Sequence, residues 1–123
     1  MRGFEDLREI APRRIWDGVL ARVVGGERLT LAIVELEPDR VVPQHDHENE
    51  QLGLVLSGTV DFRIGDERRT LGPGETWNIP PHAPHEVHAG PEGAVVIDVF
   101  APTRSDWEAL ERLDPQQPGW PSP

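Results

Sequence analysis

The chain has 123 residues and no cysteine, which excludes disulfide bonds, thiolate metal sites, iron–sulfur clusters and a cysteine nucleophile. Its 22 acidic residues outnumber its 12 basic ones, and the net charge of −10 argues against binding to nucleic acid or an anionic membrane. Every basic residue is arginine, so Schiff-base and P-loop lysine chemistry are excluded as well. This length predicts one domain. The lack of a signal-peptide segment or a long apolar run predicts a soluble, cytoplasmic protein.

The predicted elements are almost all short β-strands separated by glycine and proline turns. Residues 18–24 and 29–36 form the first two strands, and Gly25-Gly26 between them is typical of a β-hairpin. Later strands are predicted at residues 51–56, 59–64, 67–71, 75–79, 85–89 and 94–100, with breaks at Ser57-Gly58 and at residues 90–93. Many short strands without parallel crossovers predict an all-β jelly-roll barrel, with its core at about residues 18–100.

One short helix is predicted near the C terminus. Ser105 is a favourable N-cap, Glu108 follows three residues later, and Trp107 begins an apolar series at helical spacing. The helix and a Pro-rich tail together occupy about residues 105–123, and the tail is expected either to fray or to drape over the domain.

The histidines are the residues with the most informative spacing. His45 and His47 are two residues apart and share one face of a strand, and Gln51 has the same parity if the strand continues. Two imidazoles and an amide oxygen would then converge, and one histidine from a neighbouring strand would complete a four-ligand set for a divalent metal. The alternative is a pair of exposed histidines at a strand end.

This spacing resembles the first motif of the cupins. The matching residues are His45-x-His47, then Gln51 after three residues and Gly58 after six more, with Gln where Glu is usual and Asp39 where a Gly is usual. The second cupin motif is matched more loosely by Gly72-Pro73-Gly74, Ile79-Pro80-Pro81 and Pro84-His85, with Ala89 in place of an Asn. The resemblance covers about residues 29–100 and implies a jelly-roll barrel.

Residues 47–58 are most similar to the pectin-degradation cupins, small proteins that linearise 4,5-unsaturated uronates with His, His, Gln and His as metal ligands. This resemblance implies one divalent ion (Zn, Ni, Fe, Mn or Cu) held by His45, His47, Gln51 and His85. The last strand of these cupins carries an Asp, a Phe two residues on and an Arg four residues further. Asp98, Phe100 and Arg104 stand at that spacing here.

A mechanistic hypothesis gives each of these residues a role. Asp98 would move a proton during ring opening, Arg104 would pair with the carboxylate of a sugar acid, and Phe100 and Trp77 would supply apolar walls. A neutral Gln ligand leaves the ion its full charge, which suits an anionic substrate and non-redox chemistry. Two alternatives stay open: a cupin dioxygenase that uses iron or nickel, and a metal- and sugar-binding cupin without turnover. A homodimer through the strand near residues 13–24 is a further expectation.

Each assignment has a simpler reading. Gln51 is a polar edge residue if Glu48 or Glu50 is the ligand instead, but strand parity places both glutamates on the other face. Asp98 shares its face with Val96 and Phe100, so that face is either solvated or turned into the barrel, where a carboxylate needs a partner. The remaining residues are read as structural: His82 and His88 as bystanders, Phe62 and Trp77 as core residues.

Overall fold

The computed structural model describes residues 3–121; residues 1–2 and 122–123, which include the end of the predicted Pro-rich tail, lie outside it. Eight strands carry most of the regular structure: β1 Arg13–Trp16, β2 Val19–Gly25, β3 Thr30–Leu36, β4 Val41–His45, β5 Glu50–Ile64, β6 Glu67–Leu71, β7 Thr76–Ile79 and β8 His85–Ala101. Two short 3₁₀-helices, Leu7–Glu9 and Ser105–Ala109, flank them. Within the described range, no helix has the length and apolarity needed to cross a membrane.

The strands form two antiparallel half-sheets that share the longest strands, β5 and β8. The first half-sheet has the order β1-β2-β3-β8-β5-β7 and uses residues 94–101 of β8 and 50–58 of β5. The second has the order β4-β8-β5-β6 and uses residues 85–89 of β8 and 60–64 of β5. The predicted all-β jelly roll is thereby confirmed, although the hydrogen-bonded ladder does not close on itself within residues 3–121.

β5 and β8 are each continuous where the sequence predicts two strands. They pair with each other along their whole length, from Glu50 with Ala101 to Ile64 with His85, and the register shifts beside Ser57 and Gly58. The turn-type residues there interrupt the ladder locally, as β-bulges do, and do not reverse the chain. Gly58 has φ +77°, and a Cβ on it would meet the backbone of residues 93–94, so only glycine fits this point.

The core lies between the two half-sheets and is built from the inward-facing residue of each strand pair. Val34, Val55 and Val96 from the first half-sheet face Val60 and Phe62 from the second, and all five are buried. Strands that bury one face alternate apolar with other residues, and this alternation also turns the polar Gln51 and Asp98 inward, beside the core.

The C-terminal helix forms at Ser105–Ala109 but differs from the prediction in type and capping. It is a 3₁₀-helix whose N-cap is Arg104, without a side-chain capping bond, so the predicted Ser105 cap is wrong. Trp107 is the buried residue of this helix, and its ring lies 5.1 Å from that of Phe100. Leu113 lies beyond the helix, where its N–H donates to the Pro12 carbonyl (2.8 Å).

The described part of the tail is draped over the outer face of β2 and β3. The Gln116 carbonyl accepts from Arg22 (2.9 Å), and the Gly119 N–H donates to Glu35 (2.6 Å). Arg22 is 1% exposed and pairs with Glu35 at 2.9 Å, so the tail covers an ion pair that the sheet would otherwise present to solvent.

Candidate functional site

Three histidines meet at one end of the jelly roll. His45 ends β4, His85 begins β8, and the two are cross-strand partners, whereas His47 lies in the loop after β4. The ring centroids are 4.2 Å apart for His45 and His85 and 4.9 Å apart for His47 and His85. One nitrogen from each ring lies within 4.8 Å of the others. The structure thus brings the three predicted histidines together, although the strand-parity argument is wrong for His47, which is not on the strand.

The hydrogen bonds of these rings leave one nitrogen of each free for a metal. Nδ1 of His45, His47 and His85 lies 2.8, 3.0 and 2.9 Å from a backbone carbonyl two residues away. The carbonyls belong to Pro43, Asn49 and Ala83 respectively. When Nδ1–H donates to a carbonyl, Nε2 of the neutral ring carries a lone pair, which is the usual arrangement of a metal-binding histidine.

His85 gives the clearest sign that this set of donors fits a cation. Its Nε2 is buried and has no hydrogen-bond partner within the described chain. A buried polar atom without a partner is rare and costly. Burial lowers the pKa of His85 to about 4 and also lowers the pKa of His47, where the Arg104 charge adds to the effect. Both rings are therefore neutral near pH 7, which is the protonation state that binds a metal.

Gln51 links the histidines to Asp98. Its Oε1 lies 3.0 Å from Nε2 of His47, and its Nε2 donates to Oδ1 of Asp98 at 2.8 Å. With Nδ1–H of His47 donating elsewhere, Oε1 and Nε2 are two acceptors facing each other. A separation near 3 Å suits neighbouring ligands of one ion with bonds of about 2.1 Å. Glu48 and Glu50 are exposed and take no part in this cluster.

Asp98 lies inside the jelly roll, so the solvated-face alternative is wrong. It is 6% exposed, and its Oδ1 accepts a second hydrogen bond, from the indole N–H of Trp77 at 2.8 Å. Burial raises the pKa of Asp98 to about 6 despite these two bonds. A carboxyl group with this pKa can both take up and release a proton near neutral pH.

Trp77 and Gly53 allow Asp98 to take this buried position, one by donating a hydrogen bond and the other by leaving space. Trp77 is buried in the core, with its ring 4.8 Å from that of Phe62, and sequence reasoning missed its hydrogen bond. Gly53 lies opposite both Trp77 and Asp98 in the sheet. A Cβ there would lie 2.5 Å from Oδ1 of Asp98, so glycine makes room for the carboxylate.

Arg104 packs against two aromatic rings. Its guanidinium carbon lies 4.8 Å from the centroid of Phe100 and 4.3 Å from that of Trp107, and its side chain is 11% exposed. Its Nε and Nη2 donate to the two carboxylate oxygens of Asp106 at 3.1 and 3.0 Å. Its backbone N–H donates to the hydroxyl of Thr30 (2.9 Å). Asp106 is a partner that the sequence analysis did not identify.

A cavity of about 470 Å³ joins these groups. Its polar lining includes His45, His85, Gln51, Asp98, Arg104 and Asp106. Phe100 contributes to the apolar lining, whereas Trp77 does not reach the cavity. Trp16, which the sequence analysis did not single out, lines it instead, with its ring 5.6 Å from His45.

Asn49 ties the histidine loop to the segment before Arg104. It is 4% exposed, its carbonyl accepts from His47, and its side-chain amide donates to the carbonyls of Pro102 (2.6 Å) and Thr103 (3.3 Å). An asparagine after a histidine pair carries no distinctive sequence signal, so only the structure shows this connection.

The two other histidines lie outside the cluster, as expected. The His82 side chain is 71% exposed with Nδ1 3.8 Å from Asp46, and His88 is paired with Glu86 at 2.6 Å.

Comparison with known proteins finds relatives of this chain in both sequence and structure. Pectin degradation protein KdgF of Dickeya dadantii is 27% identical over 93 residues, covering 74% of this chain and 84% of that protein. The structure of KdgF from Halomonas sp. has a TM-score of 0.79 at 28% identity, covering 86% of this chain and 98% of that one. H2HPP isomerase of Bacillus subtilis is 33% identical over 93 residues, covering 69% of this chain but only 39% of that protein.

Residues 32–100 match the cupin domain family. This match covers more than half of the 123 residues. It includes all three clustered histidines, together with Gln51 and Asp98. The chain therefore belongs to the cupin family.

Proposed function

We propose that this cupin is a metal-dependent enzyme that opens the ring of an unsaturated uronate, a sugar acid with a double bond beside its carboxylate. The observation that carries the proposal is the position of Gln51, which faces His47 with its oxygen and donates to Asp98 with its nitrogen. A candidate metal site and a buried proton-carrying group are thereby joined in one cavity, which Arg104 also lines.

The residues that would hold the ion are His45, His47, His85 and Gln51. Three imidazoles and one amide oxygen suit zinc, nickel, iron, manganese or copper alike. A divalent ion in this position would supply positive charge that stabilises negative charge on substrate oxygens.

The proposed reaction is an isomerisation in which a proton changes place. A proton leaves the anomeric hydroxyl, the bond between C1 and the ring oxygen breaks, and C4 gains a proton. C1 becomes an aldehyde and C5 a ketone, with no net change in atoms or electrons. Asp98 is the buried carboxyl group of the cavity, and since its Oδ1 is occupied by two donors, Oδ2 is the atom that holds and moves the proton.

Arg104 is the group that anchors the substrate carboxylate. Guanidinium groups bind carboxylates through paired hydrogen bonds, and the rings of Phe100 and Trp107 hold this one at the cavity wall. This anchoring answers the objection that the protein, at −10, would repel an anion. Charges more than about 8 Å away are largely screened at physiological salt, so anion binding depends on groups inside the cavity: the hydrogen-bond donors of Arg104 and the positive charge that a bound ion would supply. The similarity to KdgF proteins of two bacteria supports a uronate as the substrate.

A second candidate is an isomerase that acts on another small carboxylate. The 33% identity with H2HPP isomerase favours it, because that relative is an isomerase by name. The same buried Asp98 and the same Arg104 would serve a proton transfer on a different carbon skeleton.

The test is turnover of an unsaturated uronate, prepared by lyase digestion of polygalacturonate, by metal-loaded protein. We expect loss of the conjugated enol absorbance, equally fast under nitrogen and air, and abolished by a chelator. Activity that requires air would identify a dioxygenase instead. Binding without turnover of either the uronate or an H2HPP-type substrate would identify a non-catalytic cupin.

A further inference from the structure

One of the two hydrogen-bonding edges of the Arg104 guanidinium is already used by Asp106 of the same chain. Asp106 takes the edge formed by Nε and one Nη2 hydrogen, through two nearly parallel hydrogen bonds of 3.1 and 3.0 Å. The rings of Phe100 and Trp107 cover the guanidinium. The edge left for a ligand is therefore the terminal one, formed by Nη1 and the second Nη2 hydrogen, which still offers two parallel donors to one carboxylate.

Asp106 also cancels the charge of Arg104. The hydrogen bond from Arg104 lowers the pKa of Asp106, so its carboxylate is ionised at neutral pH. Both side chains line the same cavity. A ligand at the terminal edge of Arg104 therefore meets two well-placed donors on a pair whose net charge is near zero.

We propose that Asp106 determines the anion specificity of this site by restricting the group bound at Arg104 to a single negative charge. A carboxylate fits that restriction, whereas a phosphate dianion on the same sugar ring does not. The inference rests on the proposed function in that it takes Arg104 as the anchor of the substrate's carboxylate.

The expected size of the effect follows from Coulomb's law. The second charge of a phosphate at the terminal edge lies about 6 Å from the Asp106 carboxylate, across the guanidinium. The effective dielectric constant is about 80 in water and about 20 for pairs near a protein surface. Because the Asp106 carboxylate is 65% exposed, the repulsion lies near the water limit and corresponds to about a fivefold loss of affinity. Because the carboxylate is exposed, the effect falls as salt is added.

The experiment compares three sugars of one ring type on metal-loaded protein: D-galactose, D-galacturonate and D-galactose 6-phosphate, which are neutral, singly and doubly charged at pH 7.5. Calorimetric titration at low salt gives the ratio of the Kd values of the phosphate and the uronate. In Asp106→Asn, which keeps the size of the side chain and an acceptor for the guanidinium, we expect this ratio to fall about fivefold. The contribution of the ion to anion binding is common to wild type and variant and cancels from the comparison.

Two variants serve as controls. Asp106→Glu keeps the charge and is expected to keep the wild-type ratio, and Arg104→Gln is expected to lose the preference for galacturonate over galactose. If Asp106→Asn weakens both anions by the same factor, or leaves the ratio unchanged, the proposed charge selection is wrong and Asp106 only positions the guanidinium. If wild type does not prefer galacturonate over galactose, the carboxylate does not bind at Arg104. That result overturns the substrate assignment itself, and so the two failures are distinguishable.

Discussion

Replacing Asp98 with asparagine is expected to stabilise the metal-free protein while it slows turnover by the metal-loaded protein. Burial raises the pKa of Asp98 from 3.8 to about 6. At about 1.4 kcal/mol per pKa unit, an ionised Asp98 costs the fold about 3 kcal/mol above pH 6. Asparagine has nearly the same shape, its Oδ1 accepts from both Gln51 and Trp77, and it carries no charge to desolvate.

The stability gained by Asp98→Asn is expected to increase as the pH rises. Because the folded-state pKa of Asp98 lies above its unfolded value, its contribution to stability is full below pH 4 and is lost as the pH rises through 6. The variant lacks this loss. Its free energy of unfolding, relative to wild type, should therefore be up to about 3 kcal/mol higher at pH 7.5 than at pH 4.

The assay pairs stability with rate. Urea unfolding of both proteins in EDTA, at pH 4 and pH 7.5, gives the stability difference, because titrations common to the two proteins cancel. Turnover of the unsaturated uronate by the metal-loaded proteins should fall by about a hundredfold or more in the variant, the scale of losing a general acid–base group. The reasoning is refuted if the variant is less stable at pH 7.5 and its rate falls only in proportion to its folded fraction. Full activity in a folded, metal-loaded variant would refute the role of Asp98 in catalysis.

Three further changes test the rest of the site. His45→Ala/His47→Ala should lower the metal content, measured by elemental analysis, from about one ion per chain to near zero, because two of four ligands are lost. Gln51→Glu should keep or tighten metal binding but slow turnover of an anionic substrate, because it adds a negative charge and removes the donor to Asp98. Gly53→Ala should keep the metal but lose activity and about 1–3 kcal/mol of stability, because its Cβ would collide with Asp98.

Each of these has an outcome that contradicts it. Stoichiometric metal in the double histidine variant would place the ion elsewhere. Unchanged kinetics in Gln51→Glu would mean that a neutral ligand has no electrostatic role. For Gly53→Ala the matched control is Gly25→Ala, where a Cβ meets nothing within 4 Å and both properties should stay at the wild-type level. Equal behaviour of the two glycine variants would contradict the steric argument.

The sequence predicts the fold and the identity of the clustered residues better than it predicts their local structure. The spacing of His45, His47 and Gln51 is enough to group them, because few residues separate them along the chain. Their grouping does not follow from strand parity, however, since β4 ends at His45. Contacts between residues distant in sequence, such as the bond from Trp77 to Asp98, leave no local pattern, and an aromatic residue in a strand is otherwise read as core.

The strand breaks illustrate the same limit. Ser57-Gly58 has the composition of a turn, yet it lies within β5, where Ser57 and Gly58 pair with Val95 and Ala94 of β8 and the preceding Leu56 is the extra residue of a bulge. Whether a glycine reverses a chain or bulges within a strand depends on the partner strand, which one segment of sequence does not specify. The contact of Asp106 with Arg104 is also not predictable from the sequence, since an acidic residue in a helix is usually solvated.

The long pairing of β5 with β8 also sets the order of events when the chain folds. Glu50 pairs with Ala101 and His45 with His85, so the approach of His85 and Asp98 to the other site residues depends on contacts between residues that are far apart in sequence. Folds dominated by such contacts form slowly, in milliseconds to seconds. The ligand cluster requires this ladder, because His85 lies on β8 and meets His45 only through strand pairing. A bound ion would therefore slow unfolding and raise Tm by mass action, while the rate of folding stays as it is without metal.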